Sequence, residues 1–128
     1  WKGHFNDFTR ALYLLEEGMA SDIPSLSQLA KEGLVRRFTF TLELAWKTVK
    51  DFLEESGLQL TVITPREVIK AARSAGVVSD GELWMVMLDH RNMLSHTYDV
   101  ERFEEALTAI SRDYLATLRS LHVFLGSQ

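Results

Sequence analysis

Apolar residues recur along this chain mostly at helical spacing, and caps and stops divide them into separate stretches. Phe5, Phe8, Leu12, Leu15 and Met19 alternate steps of three and four, which places them on one helix face, while Asn6, Asp7, Arg10, Glu16 and Glu17 fall elsewhere. That helix is expected to stop between Gly18 and Asp22, with Pro24 just beyond. Ser25 followed by Gln28 has the form of a capping box, and a long helix is predicted from there to Ser56, with Gly57 as its stop. Its apolar positions are Leu26, Leu29, Leu34, Phe38, Leu42, Ala45, Val49, Phe52 and Leu53, and Phe40, Leu44 and Trp46 add apolar surface off that stripe. A helix apolar on two sides sits centrally or lines an oligomer interface. Arg36, Arg37, Lys47 and Lys50 give it a basic side. Gly33 weakens the helix by about 1 kcal/mol relative to Ala, so a kink or a late start is allowed there.

Leu58 to Ile63 reads as a surface loop, and Thr64-Pro65-Arg66-Glu67 then starts a short helix: Thr as cap, Pro at the first position, Glu closing the box. This helix should run to about Ala75 and end at Gly76, with Arg66, Lys70 and Arg73 along one solvated side. Ser79-Asp80-Gly81-Glu82 opens the next helix, whose Leu83, Trp84, Val86, Met87, Leu88, Met93 and Leu94 predict burial and whose end is expected near His96 or Thr97. Asp99 can cap a last helix, marked by Phe103, Leu107, Ile110, Tyr114, Leu118, Leu121 and Leu125 at near-heptad spacing. His4 is read as a solvated terminal residue, and His122 as a residue favoured by the dipole near a helix end. The pattern predicts an all-α fold: an antiparallel up-and-down bundle of four main helices and one short one, as a single domain over residues 1–128.

Composition narrows the possibilities. Hydrophobic residues make up 46% of the 128 residues, enough for a core, and the net charge of −4 argues against a protein that coats nucleic acid by neutralising phosphates. With no cysteine, disulfides, zinc-thiolate sites and thiol nucleophiles are excluded, and a cytoplasmic location is expected. No apolar run approaches the ~20 residues that span a bilayer, so no membrane association is expected. The first residue is Trp1, not Met, and a signal peptide could only lie upstream of it.

One stretch is chemically denser than the rest: Leu88-Asp89-His90-Arg91-Asn92-Met93-Leu94-Ser95-His96-Thr97-Tyr98-Asp99. Arg91 emerges from an apolar helix, where a charge is costly unless it pairs or faces a groove. Arg91 and His96 are five residues apart, about 140° around an ideal helix, so a joint site needs the helix to end near His96 or a second copy to face it across a dimer. Asn92 and His96 are four apart and can share a face. His moves protons near neutrality, Arg holds a phosphate in its planar fork, and Asn can orient either. The set suits phosphodiester cleavage without a metal, although an Arg and a His at a helix end more often form a salt bridge to Asp89 or Asp99, or a helix cap, than a catalytic pair. Tyr98 either packs its ring at the helix junction or offers its hydroxyl for modification. His90, His96, Asp89 and Asp99 lack the spacing of a metal-binding helix motif, and no cofactor is expected.

Arg91-Asn92-Met93-Leu94-Ser95-His96-Thr97-Tyr98 resembles the Arg-x4-His-x-Tyr signature of HEPN-domain proteins, which are encoded beside minimal nucleotidyltransferases (MNT proteins). Arg37 to Lys50 resembles the long-helix motif of the subfamily called nucleotidyltransferase substrate-binding proteins, and Thr64 to Ile69 and Asp80 to Trp84 are similar as well. The resemblance implies a helical bundle that forms a homodimer and has an MNT partner, with RNA or a nucleotide as ligand. It implies metal-independent RNA cleavage by Arg91 and His96 with Asn92 assisting, as in a toxin. It also implies Tyr98 as the residue to which an antitoxin transfers AMP.

Overall fold

A computed structural model describes residues 1–96 and 98–128. The first helix, α1 (Lys2–Met19), leads through a 3-10 turn (Ile23–Ser25) into α2 (Gln28–Glu55). A loop without strand structure precedes α3 (Pro65–Ser74), and α4 (Gly81–Leu94) follows. Then α5 (Val100–Ala109), a π turn (Ile110–Tyr114) and α6 (Leu115–Gly126) run on as one rod, because both junctions keep right-handed helical dihedrals. Counting that rod once, the described residues form the expected four long helices and one short one.

The core is built around α2, whose backbone lies against α1, α3, α5 and α6. Phe38, Leu42, Ala45, Val49 and Leu53 of α2 are buried with Phe8, Leu12 and Leu15 of α1, Val68 and Ile69 of α3, Trp84, Met87 and Leu88 of α4, and Leu118 and Leu125 of α6. Two polar side chains inside α2, Thr41 and Thr48, are fully buried. Their hydroxyls donate to carbonyls one turn back, Arg37 O at 2.6 Å and Leu44 O at 2.7 Å, which offsets the cost of burying them. A smaller cluster joins Leu34 and Val35 to Leu94 of α4 and to Phe103, Ala106 and Leu107 of α5. It underlies the polar stretch at the end of α4.

Most boundaries fall where the caps put them. Thr64 Oγ1 accepts from Glu67 N (3.2 Å), Asp80 Oδ1 from Leu83 N (3.1 Å) and Asp99 Oδ1 from Glu101 N (2.9 Å). Gly57 and Gly76 take positive φ, +98° and +79°, just past α2 and α3, a conformation that costs other residues a Cβ clash.

Several expectations need correction. Ser27, not Ser25, caps α2, accepting from Ala30 N at 3.1 Å; Ser25 belongs to the 3-10 turn, so Leu26 lies outside the helix. Leu29, in the first turn of α2, is 81% exposed and does not join the core. The α2 helix passes Gly33 unbroken. The capping box at Thr64 is only half made, since Glu67 turns its carboxylate to Lys70 at 3.2 Å. The two outer histidines are not idle: His4 pairs with Asp51, and His122 stacks on Phe5 with Nε2 2.8 Å from Thr9 Oγ1. The helix α4 ends at Leu94, two residues short of His96; Thr97, the other expected end, lies outside the described residues. Among the described residues no helix is long and apolar enough to cross a membrane.

Because the Asp80 cap satisfies a first-turn N–H of the helix that carries the polar stretch, Asp80→Ala should lower stability by about 1 kcal/mol. Urea denaturation of the two proteins, compared at equal m-value, measures it.

Candidate functional site

The backbone of α4 lies closest to α3 and α5 rather than α2. Between the C-terminal half of α4 and the N-terminal half of α2 an open groove of about 730 Å³ remains. Its walls carry Arg36, Arg37, Phe40 and Glu43 from α2 and Arg91 and Tyr98 from the end of α4 and beyond. Phe103 of α5 and a second acid, Glu32, also line it.

Arg91 projects from a helix whose neighbouring Leu88 and Leu94 are buried, and its side chain is only 22% exposed. The charge is met across the groove floor by Glu43, whose Oε2 accepts from Arg91 Nη1 at 2.6 Å. Arg91 Nη2 donates to Asn92 Oδ1 at 3.1 Å, and Nε is buried with no partner among the described residues. The ion pair foreseen for Arg91 therefore exists, but with Glu43 and not with Asp89, which is held by Arg66 of α3 at 2.6 Å. Asp89 sits two residues before Arg91 and so points away from it on the same helix.

The other predicted residues are placed as follows. Asn92 is exposed and touches Arg91 directly. His96 is exposed just past the last turn of α4, its backbone N–H donating to Met93 O at 3.1 Å, and it is not among the residues that line the groove. Tyr98 is 90% exposed, with its ring edge-on to Phe103 at 6.4 Å between centroids. Arg91 and Asn92 are thus in contact, Arg91 and Tyr98 share the groove, and His96 stands beside it. The basic side of α2 is visible in the chain, and Arg36 and Arg37 are its groove-lining members. Glu43 escapes a reading of the chain alone. The signal that could have found it is an acid three residues before Trp46 on an otherwise apolar stretch, since the Trp46 Nε1–H donates to the same Glu43 oxygen at 3.0 Å.

His90, next to Arg91 in sequence, faces away from the groove toward the π turn. Its Nδ1 lies 2.9 Å from Tyr114 Oη, and Tyr114 stacks on Phe38. Burial lowers the imidazole pKa below the ordinary 6.5, only partly opposed by Glu105, and Arg102 lowers it further. Burial also raises the Tyr114 phenol. Both shifts favour the neutral forms, so a neutral imidazole and a neutral phenol share this hydrogen bond. Among the described residues no group of three or more His, Asp or Glu side chains is placed to hold a metal ion.

The family profile described as "nucleotidyltransferase substrate binding protein like" matches residues 3–127. A probable ribonuclease HepT of Haemophilus influenzae is 30% identical over 73 residues, 55% of this chain and 50% of that protein, so the match spans half the relative's length. The crystal structure of a protein from Thermus thermophilus shares the fold at a TM-score of 0.78 and 27% identity, over 94% of this chain and 97% of that one.

The lowered pKa of His90 sets the sign of a pH effect. The unfolded chain takes up the proton near pH 6.5 while the folded chain still resists it, so this histidine destabilises the fold as pH falls from about 6.5 toward the folded value. His90→Gln should flatten the decline in melting temperature between about pH 7 and pH 5; a decline as steep as the parent's would show that His90 is not its source.

Proposed function

The chain belongs to the nucleotidyltransferase substrate-binding-like family, and on that premise we propose that it is the partner component of a two-gene HEPN–MNT system. It docks the nucleotidyltransferase, receives nucleotide phosphates on the arginines of the groove, and offers Tyr98 as the acceptor. The observation that carries this reading is the position of Tyr98. A ring whose task is packing is covered, but this one stands 90% in solvent on the rim of a groove that also holds Arg36, Arg37 and Arg91. In the transfer, the phenol oxygen attacks the α-phosphorus of ATP, the bond to the bridging oxygen of pyrophosphate breaks, and the phenol proton leaves to the nucleotidyltransferase or to water. Arginine suits the phosphates because its planar fork matches their oxygens.

A second reading is supported by the relative named a probable ribonuclease. Here the chain is a metal-independent endoribonuclease, with Tyr98 adenylylation as its off-switch. Arg91 stabilises charge on the pentacoordinate phosphorus, Asn92 steadies Arg91, and His96 moves the proton of the attacking 2′-hydroxyl or of the leaving oxygen. Since His96 stands beside the groove and not in it, this reading calls for two copies facing each other, so that an isologous contact brings both clusters together. The two readings are compatible, because an enzyme that modifies Tyr98 has to bind this chain.

Intact-mass measurement after incubation with the nucleotidyltransferase and ATP should show added adenylyl groups on the parent and none on Tyr98→Phe. An unmodified parent would count against the first reading. For the second, His96→Ala and Arg91→Ala should each cut RNA cleavage by about a hundredfold or more while the melting temperature stays near the parent's; undiminished cleavage by His96→Ala would remove it.

A further inference from the structure

Arg91 is held by a residue 48 positions away, and that residue is itself held by the core. Glu43 receives two hydrogen-bond donors and a further ion pair. Its Oε2 takes Arg91 Nη1 at 2.6 Å and Trp46 Nε1 at 3.0 Å, and its Oε1 faces Lys47 Nζ at 3.4 Å. Trp46 is 9% exposed and packed in the main hydrophobic cluster, so its indole cannot swing without opening that cluster. Control therefore runs outward from the core, through the indole N–H to the carboxylate and on to the guanidinium. The guanidinium is planar, so Glu43 on Nη1 and Asn92 on Nη2 together fix its plane.

We infer that Glu43, locked by Trp46, is the positioning residue of this site: it sets the orientation in which Arg91 presents its remaining Nη N–H bonds to the groove. The inference rests on reading Arg91 as the phosphate-handling residue. A carboxylate could instead act as a plug, occupying the place of a phosphate until one arrives. A plug has to withdraw, however, and Glu43 is tied on two other sides by Trp46 and Lys47, neither of which depends on Arg91. Trp46 does not line the groove, so removing its N–H alters no direct contact with a ligand there.

The test uses the full chain as parent, Trp46→Phe and Glu43→Gln, the first removing the indole N–H and the second only the charge at nearly constant volume. Circular dichroism and melting first establish that each variant is folded. Nitrogen-15 spectra of the guanidinium groups at low temperature, with the Arg91 signals identified by their loss in Arg91→Lys, should show separate Nη1 and Nη2 resonances in the parent. In Trp46→Phe and Glu43→Gln these should merge as the group rotates freely. In RNA cleavage or Tyr98 adenylylation, Trp46→Phe should lower kcat by about tenfold to a hundredfold with KM little changed, the cost of a misplaced group. Arg91 resonances that are averaged in the parent as in the variants would overturn the inference, and so would variants that react faster than the parent, the signature of a plug. Should the parent neither cleave RNA nor accept an adenylyl group, the proposed function fails, and the spectra still decide whether Trp46 and Glu43 fix Arg91.

Discussion

A helix that is apolar on two sides has to be covered on both, and this requirement on α2 organises the bundle. Phe38, Leu42, Ala45 and Val49 are completely buried, and each of the larger of these side chains contributes on the order of 1.5–3 kcal/mol by leaving water. The partners α1, α3, α5 and α6 pack their backbones around α2, whereas α4 stands off against α3 and α5. Trp84 and Met87 reach inward from α4 to share the core. Near the C-terminus of α4, Leu94 joins the smaller cluster instead, and the groove opens there. The candidate site is thus a consequence of how many helices can touch one central helix at once.

That origin explains the charge at its floor. Arg91 sits near the end of a helix that is otherwise apolar, so it needs an anion that water cannot easily displace, and α2 supplies Glu43 across the gap. From the same turn of α4, His90 meets Tyr114 in the π turn. A π turn adds a residue to the helical circuit, and such turns recur at functional sites. Here it lies at Ile110–Tyr114 and puts a phenol against a neutral imidazole. The polar end of α4 is consequently tied on two faces, by an ion pair toward α2 and by a neutral hydrogen bond toward the last rod.

How much of this is legible in the chain depends on the range of the interaction. Local rules do well: Thr64, Asp80 and Asp99 cap helices, and Gly57 and Gly76 take the left-handed conformation that ends them. The start of α2 is misplaced by them because Ser25 and Ser27 are both competent caps, and only the 3-10 turn after Asp22 decides between the two. The π turn leaves a trace, two consecutive steps of four at Ile110, Tyr114 and Leu118, but a heptad stripe with one irregular step looks the same. The pairing of Arg91 with Glu43 is out of reach. The chain has 18 acidic residues, and only tertiary packing selects one of them. Proximity in sequence even misleads, since Asp89 is the nearer acid and points the wrong way.

The mild acidity of the chain gives a last point of tension with a site for phosphates. A net charge of −4 disfavours a surface that binds nucleic acid wherever it touches, yet charges further apart than about 8 Å are largely screened at physiological salt. What a ligand in the groove meets is the local set: Arg36, Arg37 and Arg91 against Glu32 and Glu43. Glu43 is already satisfied by Arg91, Trp46 and Lys47, so the field it would exert is largely spent within that network. Beside the remaining Nη N–H bonds of Arg91, positive charge lies with α2's two arginines, of which Arg37 donates to Leu14 O at 2.8 Å and meets an acid only at 4.0 Å, in Glu17. These stand on the groove that the exposed ring of Tyr98 also lines. On the proposed reading, a groove with three arginines would suit a small or specific phosphate ligand brought to one place, which fits a tyrosine acceptor better than it fits indiscriminate RNA binding.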